Sequence, residues 1–305
     1  MSGLAKRAFI EGIGALEASV NSPLVSGTDT VGAFLRRGLQ VVGYGLLETF
    51  ITDRLGEVAA HANSGISHVS DLPEKLQRAA FSEAIRVAAS KMQWLGTDLS
   101  DILTFSSELG RSLSAASGPV NLSPLTWQWK GSNMGVEDLS RALRLFHVKA
   151  PFIALNSICG RMNFPVTDTK VAMAGLLRER NSSAHDSNYQ VSNLVSRSTP
   201  TQLLALGCTT DTFISLAADR LRVADQSFLS DPDWLDSSRV AIRFLHARPR
   251  DWAEMPEGAT RAVRVATDRT IAFKRACAAS LGKAEIVVVQ DQTRHVLDWA
   301  CPDVP

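Results

Sequence analysis

The 305 residues carry 45% hydrophobic and 21% charged side chains, a balance that excludes a disordered chain and is typical of one large folded core or two smaller ones. The 32 Lys and Arg against 31 Asp and Glu give a net charge of +1. Overall charge therefore indicates neither nucleic acid nor an acidic partner. The four cysteines are far apart and form no C-x-x-C pair, so we expect reduced thiols, a cytoplasmic location and no structural zinc.

The sequence also lacks the signals of secretion and membrane insertion. Lys6 and Arg7 lie near the N-terminus, but Glu11 and Glu17 interrupt the apolar stretch that follows them, so we expect no signal peptide. No apolar run approaches the length of about 18 residues that a membrane span requires. We therefore expect no membrane partner.

The chain divides by pattern into three parts: an N-terminal extension (1–30), a helical bundle (31–225) and a small α/β unit (231–305). In the bundle, apolar residues recur at helical spacing over 32–62, 70–95 and 98–117. The segment 118–135 is rich in Pro and Gly and carries Trp127 and Trp129, which predicts a loop crossing the surface. Helical patterns return over 135–148, over 165–180 with Thr167 or Asp168 as cap, and over 199–225.

The last part changes character, because β-branched residues alternate over 237–248 and 283–300. A helical pattern over 261–282 separates them and ends at Gly282, so the predicted order is strand, helix, hairpin. From Arg239 to Lys283 there are ten Arg or Lys against four Asp or Glu. This basic surplus fits a phosphate backbone, and it fits a solvated face or a protein-binding face equally well. The predicted fold class is mainly α, a helical bundle with a small C-terminal α/β unit.

The stretch LLRERNSSAHDS (176–187) places Arg180 and His185 five residues apart at the end of a predicted helix. On a straight helix this step turns the two side chains roughly 140° apart. Asn181, Ser182 and Ser183 favour caps and turns over helix interiors, so we expect the helix to end or bend between Arg180 and His185. Such a break would let the two side chains converge.

With the pattern R-N-x-x-x-H at Arg180 to His185, the sequence resembles the HEPN superfamily of helical bundles, and within it the RiboL-PSP type. The resemblance extends to an early amphipathic helix with an acidic residue, LLETFITDRL (46–55), and to a loop and short helix (131–148) before the motif. By eye it covers roughly residues 31 to 223. It leaves the C-terminal unit unexplained.

The resemblance implies a metal-independent endoribonuclease without a cofactor that cleaves RNA by 2′-hydroxyl attack. Arg180 would stabilise the phosphate, His185 would handle the proton, Asn181 would support them, and Glu48 would orient one of the two. Histidine titrates near neutral pH and arginine presents a planar fork of donors, so both residue types suit this chemistry. The family further implies a homodimer, a toxin, antiviral-defence or stress-response role, and a protein partner that inhibits or activates the enzyme. Whether the target is tRNA, rRNA or mRNA is left open.

Two other interpretations remain. In the first, a non-catalytic HEPN-like domain binds RNA, a nucleotide or a partner protein, with the α/β unit as its recognition element. In the second, the motif is only structural: Arg180 caps a helix C-terminus, where cations are favoured, Asn181 caps the next turn, and His185 is an ordinary surface histidine. Trp127 and Trp129 could stack on bases or pack against the bundle.

Overall fold

The computed structural model describes residues 3–93, 98–114, 120–301 and 304. The fold is mainly helical, with a small five-stranded sheet formed by the C-terminal part, as the sequence predicts at this level. Among the described residues, no helix combines the length and the apolar composition needed to cross a membrane.

The elements in chain order are α1 Leu4–Val20, α2 Pro23–Ser26, α3 Thr30–Asn63, α4 Glu74–Arg78, α5 Ala84–Met92, α6 Leu99–Ser114, α7 Val136–Leu145, α8 Pro151–Arg161, α9 Thr169–His185, α10 Asn193–Arg222, α11 Gln226–Ser230, β1 Ala241–Ala247, β2 Trp252–Pro256, β3 Arg264–Ala266, α12 Arg269–Ser280, β4 Glu285–Gln290 and β5 Val296–Ala300. A π-helical segment, Ala79–Glu83, joins α4 to α5.

Two long helices, α3 and α10, form the centre of the bundle, and polar caps fix where they begin. The Asp29 carboxylate accepts from the Gly32 N–H at 2.8 Å and starts α3. The Ser192 hydroxyl accepts from the Val195 N–H at 3.2 Å and starts α10. Because α10 begins at Asn193, Pro200 lies inside the helix, and the prediction of a helix starting near Pro200 is wrong by about two turns.

Two segments contribute more to the core than their patterns predicted. The N-terminal extension contains α1 and α2, and Phe9 of α1 stacks on Phe50 of α3 with ring centroids 4.4 Å apart. The described part of the predicted surface loop, from Val120 onward, packs into the bundle instead of crossing its surface. Trp127 is fully buried and stacks on Phe146 at 4.8 Å, which excludes base stacking for Trp127.

The C-terminal sheet has the order β3-β2-β1-β4-β5, and β1 pairs with β4 in parallel. The predicted first strand and final hairpin are confirmed as β1 and β4–β5, with Asp291–Arg294 in the turn. Sequence patterns missed β2 and β3, and the helix assigned to 261–282 is shorter, running from Arg269 to Ser280. Both missed strands are short, five and three residues, which leaves little alternation to detect.

Polar contacts from α10 and α1 connect the bundle to the sheet. Arg54 of α3 donates through Nε to Asp211 of α10 at 2.7 Å, and the Trp299 indole of β5 donates to the other oxygen of Asp211 at 2.7 Å. On α1, the Lys6 ammonium pairs with Asp298 of β5 at 2.9 Å and also donates to the Trp299 carbonyl. Apolar residues of both parts share one hydrophobic core, so the bundle and the sheet pack as one body.

Candidate functional site

The motif lies at the exposed C-terminal end of α9. The Asp168 carboxylate accepts from the backbone N–H groups of Lys170 and Val171 at 2.9 and 3.0 Å, which confirms one of the two predicted caps. The helix then continues without interruption to His185. The last backbone bond runs from the Asp186 N–H to the Ser182 carbonyl at 2.9 Å.

The predicted break between Arg180 and His185 is therefore wrong. Asn181, Ser182 and Ser183 all lie within α9, so their preference for caps is overridden by the packing of this helix against α3. A regular helix separates the two side chains by roughly 140°. Within one chain, this geometry directs Arg180 and His185 to different sides of α9.

Arg180 faces the interior side of this helix end. It is half-buried, and its Nη1 donates to the side-chain oxygen Oδ1 of Asn181 at 3.1 Å. Its charge also acts on Glu48 and Tyr44 of α3. The structure thus brings together three of the four predicted site residues, Arg180, Asn181 and Glu48.

Glu48 is held in a fixed orientation next to Arg180. Its carboxylate accepts from the Met134 N–H, and the Tyr44 hydroxyl donates to the carbonyl of the same residue. Burial raises the pKa of Glu48, while the Met134 N–H and the Arg180 charge act in the opposite direction. A carboxylate positioned in this way can orient a guanidinium.

His185 has a different environment. Its side chain is exposed and makes no hydrogen bond or ion pair with the described residues. The adjacent Asp186 turns its carboxylate to the Asn188 N–H at 2.9 Å and does not contact the imidazole. His185 is therefore accessible to a ligand or to a second protein surface.

Arg37 of α3 is a residue of this region that the sequence analysis missed. Its guanidinium donates to the carbonyls of Ser183 at 3.0 Å and Ser187 at 2.8 Å, which places a cation on the last turn of α9. From the sequence alone, the adjacent residues Arg36 and Arg37 look like ordinary charged residues exposed to solvent. Arg36 is instead buried and donates to the carbonyls of Val25 and Val191 at 2.6 and 2.7 Å.

An open groove adjoins Glu48. The residues that line this groove are Glu48, Thr49, Thr52, Asp53, Lys91, Trp129, Gly131 and Ser132. The Lys91 ammonium lies 5.8 Å from the centre of the Trp129 ring and donates to the Gln128 side chain. Because Lys91 covers the ring and Trp129 is only 7% exposed, stacking of a base on Trp129 would require Lys91 to move.

No group of three or more His, Cys, Asp or Glu side chains that could hold a metal ion occurs in the described part of the chain. When the chain is compared with known proteins, it matches no family model, no curated protein and no solved structure. The resemblance to HEPN domains therefore rests on the motif and its flanking pattern alone.

Proposed function

We propose that the protein is a metal-independent endoribonuclease of HEPN type, acting in the cytoplasm in a defence, toxin or stress-response role. The observation that carries the proposal is the R-N-x-x-x-H motif at the exposed end of an ordered helix. There Arg180 bonds to Asn181 and lies within electrostatic reach of Glu48, whose carboxylate is held by the Met134 N–H, and the exposed imidazole of His185 remains free for proton transfer.

The proposed chemistry needs only side chains of this site. His185 removes the proton from a ribose 2′-hydroxyl, and the 2′-oxygen attacks the adjacent phosphorus. The bond to the 5′-oxygen breaks, that oxygen takes a proton from the solvent, and the protonated His185 returns its own proton to the solvent, so the products carry a 2′,3′-cyclic phosphate and a 5′-hydroxyl. Arg180 stabilises the negative charge that develops on the phosphate. Asn181 and Glu48 hold the Arg180 guanidinium in place.

The divergence of Arg180 and His185 within one chain favours a site shared by two copies. In a two-fold dimer the same patch of each copy meets itself, so Arg180 of one copy can face His185 of the other. The surface next to the motif suits such a contact: Phe34 is 70% and Leu194 80% exposed. Phe34 lies one turn before Arg37, which bonds to the end of α9, and exposed apolar side chains of this kind mark association surfaces.

The divergence also favours a second candidate function. If no dimer forms, Arg180 and His185 cannot act on one phosphate, and the chain would be a non-catalytic HEPN-like domain that binds RNA, a nucleotide or a protein.

The test is RNA cleavage by the purified protein in EDTA, with mapping of the cut ends. We expect His185→Ala to lower the rate by about 10²- to 10⁴-fold, the range for loss of a general acid–base group, and Arg180→Ala to abolish cleavage. Arg178→Ala and His68→Ala are matched controls, since both side chains are exposed and lie outside the proposed site. Equal cleavage by the wild type and all four variants would refute the assignment of Arg180 and His185.

A further inference from the structure

The carboxyl ends of β1 and β4 lie side by side, because these two strands are parallel neighbours. In open sheets, ligands bind beyond the carboxyl ends of such strands. His246 and Gln290 are register partners at this edge. Gln290 donates to the Met162 carbonyl at 2.8 Å, so the edge faces the end of α8. This region plays no part in the proposed ribonuclease site.

The protonation of His246 follows from its contacts. Its ring is 6% exposed, stacks on Phe244 at 5.3 Å, and has Nε2 2.9 Å from Nη1 of Arg294. A guanidinium only donates, so Nε2 accepts and the neutral ring carries its proton on Nδ1. Burial, together with the charges of Arg294 and Arg248, lowers the pKa of His246 to about 4, which keeps the ring neutral at neutral pH.

The Nδ1 atom of His246 is buried without a hydrogen-bond partner among the described residues. A buried N–H without an acceptor costs about 1–3 kcal/mol, and such groups in native proteins usually meet a partner. The side chain of Gln290 lies near the ring and favours its charged form, but it makes no hydrogen bond of regular geometry to Nδ1.

Two arginines act on this neutral ring, Arg294 through a direct hydrogen bond and Arg248, two residues after His246 along the chain, through its charge. Arg294 is exposed, forms no ion pair with a described residue, and has a left-handed backbone with φ of 69°, a conformation that is unfavourable for a residue other than Gly. Arg248 is exposed and only reaches Asp251 at 4.0 Å. One oxygen of the Asp291 carboxylate, Oδ1, accepts from the backbone N–H groups of Thr293 and His295 at 2.7 and 2.9 Å, and the other lies 3.6 Å from the His295 ring.

We propose that the carboxyl edge of β1 and β4 binds a phosphate group, as a monoester or diester, through the guanidinium groups of Arg294 and Arg248, with the neutral His246 ring beside them. Two guanidiniums present the planar donor forks that suit phosphate oxygens. If Arg294 served only to cover His246, nothing would call for a second arginine at the same strand ends. The phosphate belongs either to a small nucleotide or to an RNA backbone.

The test is a titration of the full-length protein, isotopically labelled at its six histidines, with inorganic phosphate, AMP or a short single-stranded RNA. We expect the imidazole signals of His246 to shift in a saturable way. Arg294→Gln and Arg248→Gln should each weaken binding by roughly tenfold, the effect of losing one charge-assisted hydrogen bond. Arg275→Gln is the matched control, since Arg275 is an exposed arginine of α12 in the same unit, and it should bind as the wild type does.

The ligands separate the two sources of phosphate. Saturable shifts with AMP or inorganic phosphate assign a small phosphate compound, whereas shifts with RNA alone assign the backbone. The signals of the other five histidines report whether a variant remains folded, and Arg294→Lys, which keeps the charge, should retain part of the affinity. The proposal is overturned if none of the three ligands shifts the His246 signals, or if the glutamine variants bind as tightly as the wild type.

Discussion

The Asp211→Ala substitution should lower the free energy of unfolding more than the replacement of any exposed charged residue in the bundle. The carboxylate accepts from Arg54 Nε at 2.7 Å, Trp299 Nε1 at 2.7 Å and Ser215 Oγ at 2.8 Å, and Arg54 and Asp211 are 3% and 2% exposed as side chains. In the Asp211→Ala variant, the Arg54 guanidinium and the Trp299 indole N–H stay buried but lose this hydrogen-bond acceptor. Breaking a buried ion pair in this way costs about 3–5 kcal/mol, a large share of the roughly 5–15 kcal/mol that stabilises a typical domain.

The assay is the free energy of unfolding from denaturant titration, with Glu74→Ala as control. The Glu74–Arg78 pair is 74% and 77% exposed, so its loss should cost about 1 kcal/mol or less. The reasoning is refuted if the two substitutions destabilise the protein equally.

The same pair predicts the direction of a pH effect. Burial acts to raise the pKa of Asp211, but the charge of Arg54 and the hydrogen bonds from Arg54, Trp299 and Ser215 outweigh it and hold that pKa below its ordinary value. A carboxyl whose folded pKa is depressed contributes stability above its unfolded pKa, near 3.8, and loses it as the pH falls through the folded pKa. The free energy of unfolding of the wild type should therefore decrease as the pH falls below about 3.8. The Asp211→Ala variant should lack the part of this decrease that comes from Asp211.

Three further substitutions probe the framework of the site. Arg37→Ala should speed amide hydrogen exchange in the last turn of α9 without changing α10, because two carbonyl contacts are lost; unchanged exchange would contradict this role. Gly65→Ala should unfold the protein or lower its melting temperature strongly, because a Cβ at this position would lie 1.5 Å from the Arg222 carbonyl oxygen. The control is Gly14→Ala, which should leave the melting temperature unchanged or raise it, because a Cβ there meets no atom within 4 Å. Phe34→Asp should reduce self-association in sedimentation experiments, and an unchanged oligomeric state would exclude this surface as the dimer contact.

Long periodic segments could be predicted from the sequence, and short or irregular ones could not. The pattern over 32–62 agrees with α3 to within two residues at its start and one at its end, since one apolar stripe and a terminal cap define such a helix. The strand β2 was missed because its buried and exposed residues do not alternate, and β3 because three residues are too few to show an alternation. The segment from Val120 was assigned to the surface by its Pro and Gly, but Trp127 and its neighbours pack in the core.

At the candidate site, the residue types were predictable and their geometry was not. Glu48, the acidic residue expected near the motif, lies within electrostatic reach of Arg180, and its role in the site stays a prediction. Local propensity wrongly predicted a helix break at Asn181 to Ser183, because the packing of α9 against α3 was not visible in the sequence. The role of Arg37 depends on a contact across 146 positions, and no local pattern marks it.

The measurement that tests the central claim most directly is complementation between two inactive variants. If each site combines Arg180 of one copy with His185 of the other, a dimer of one Arg180→Ala and one His185→Ala chain has one intact site and one doubly substituted site. Random mixing in equal amounts should then restore about a quarter of the wild-type cleavage rate, since half of the dimers are mixed and each has one working site of two. A mixture that stays as inactive as the separate variants, under conditions where the wild type cleaves RNA, would contradict the shared site.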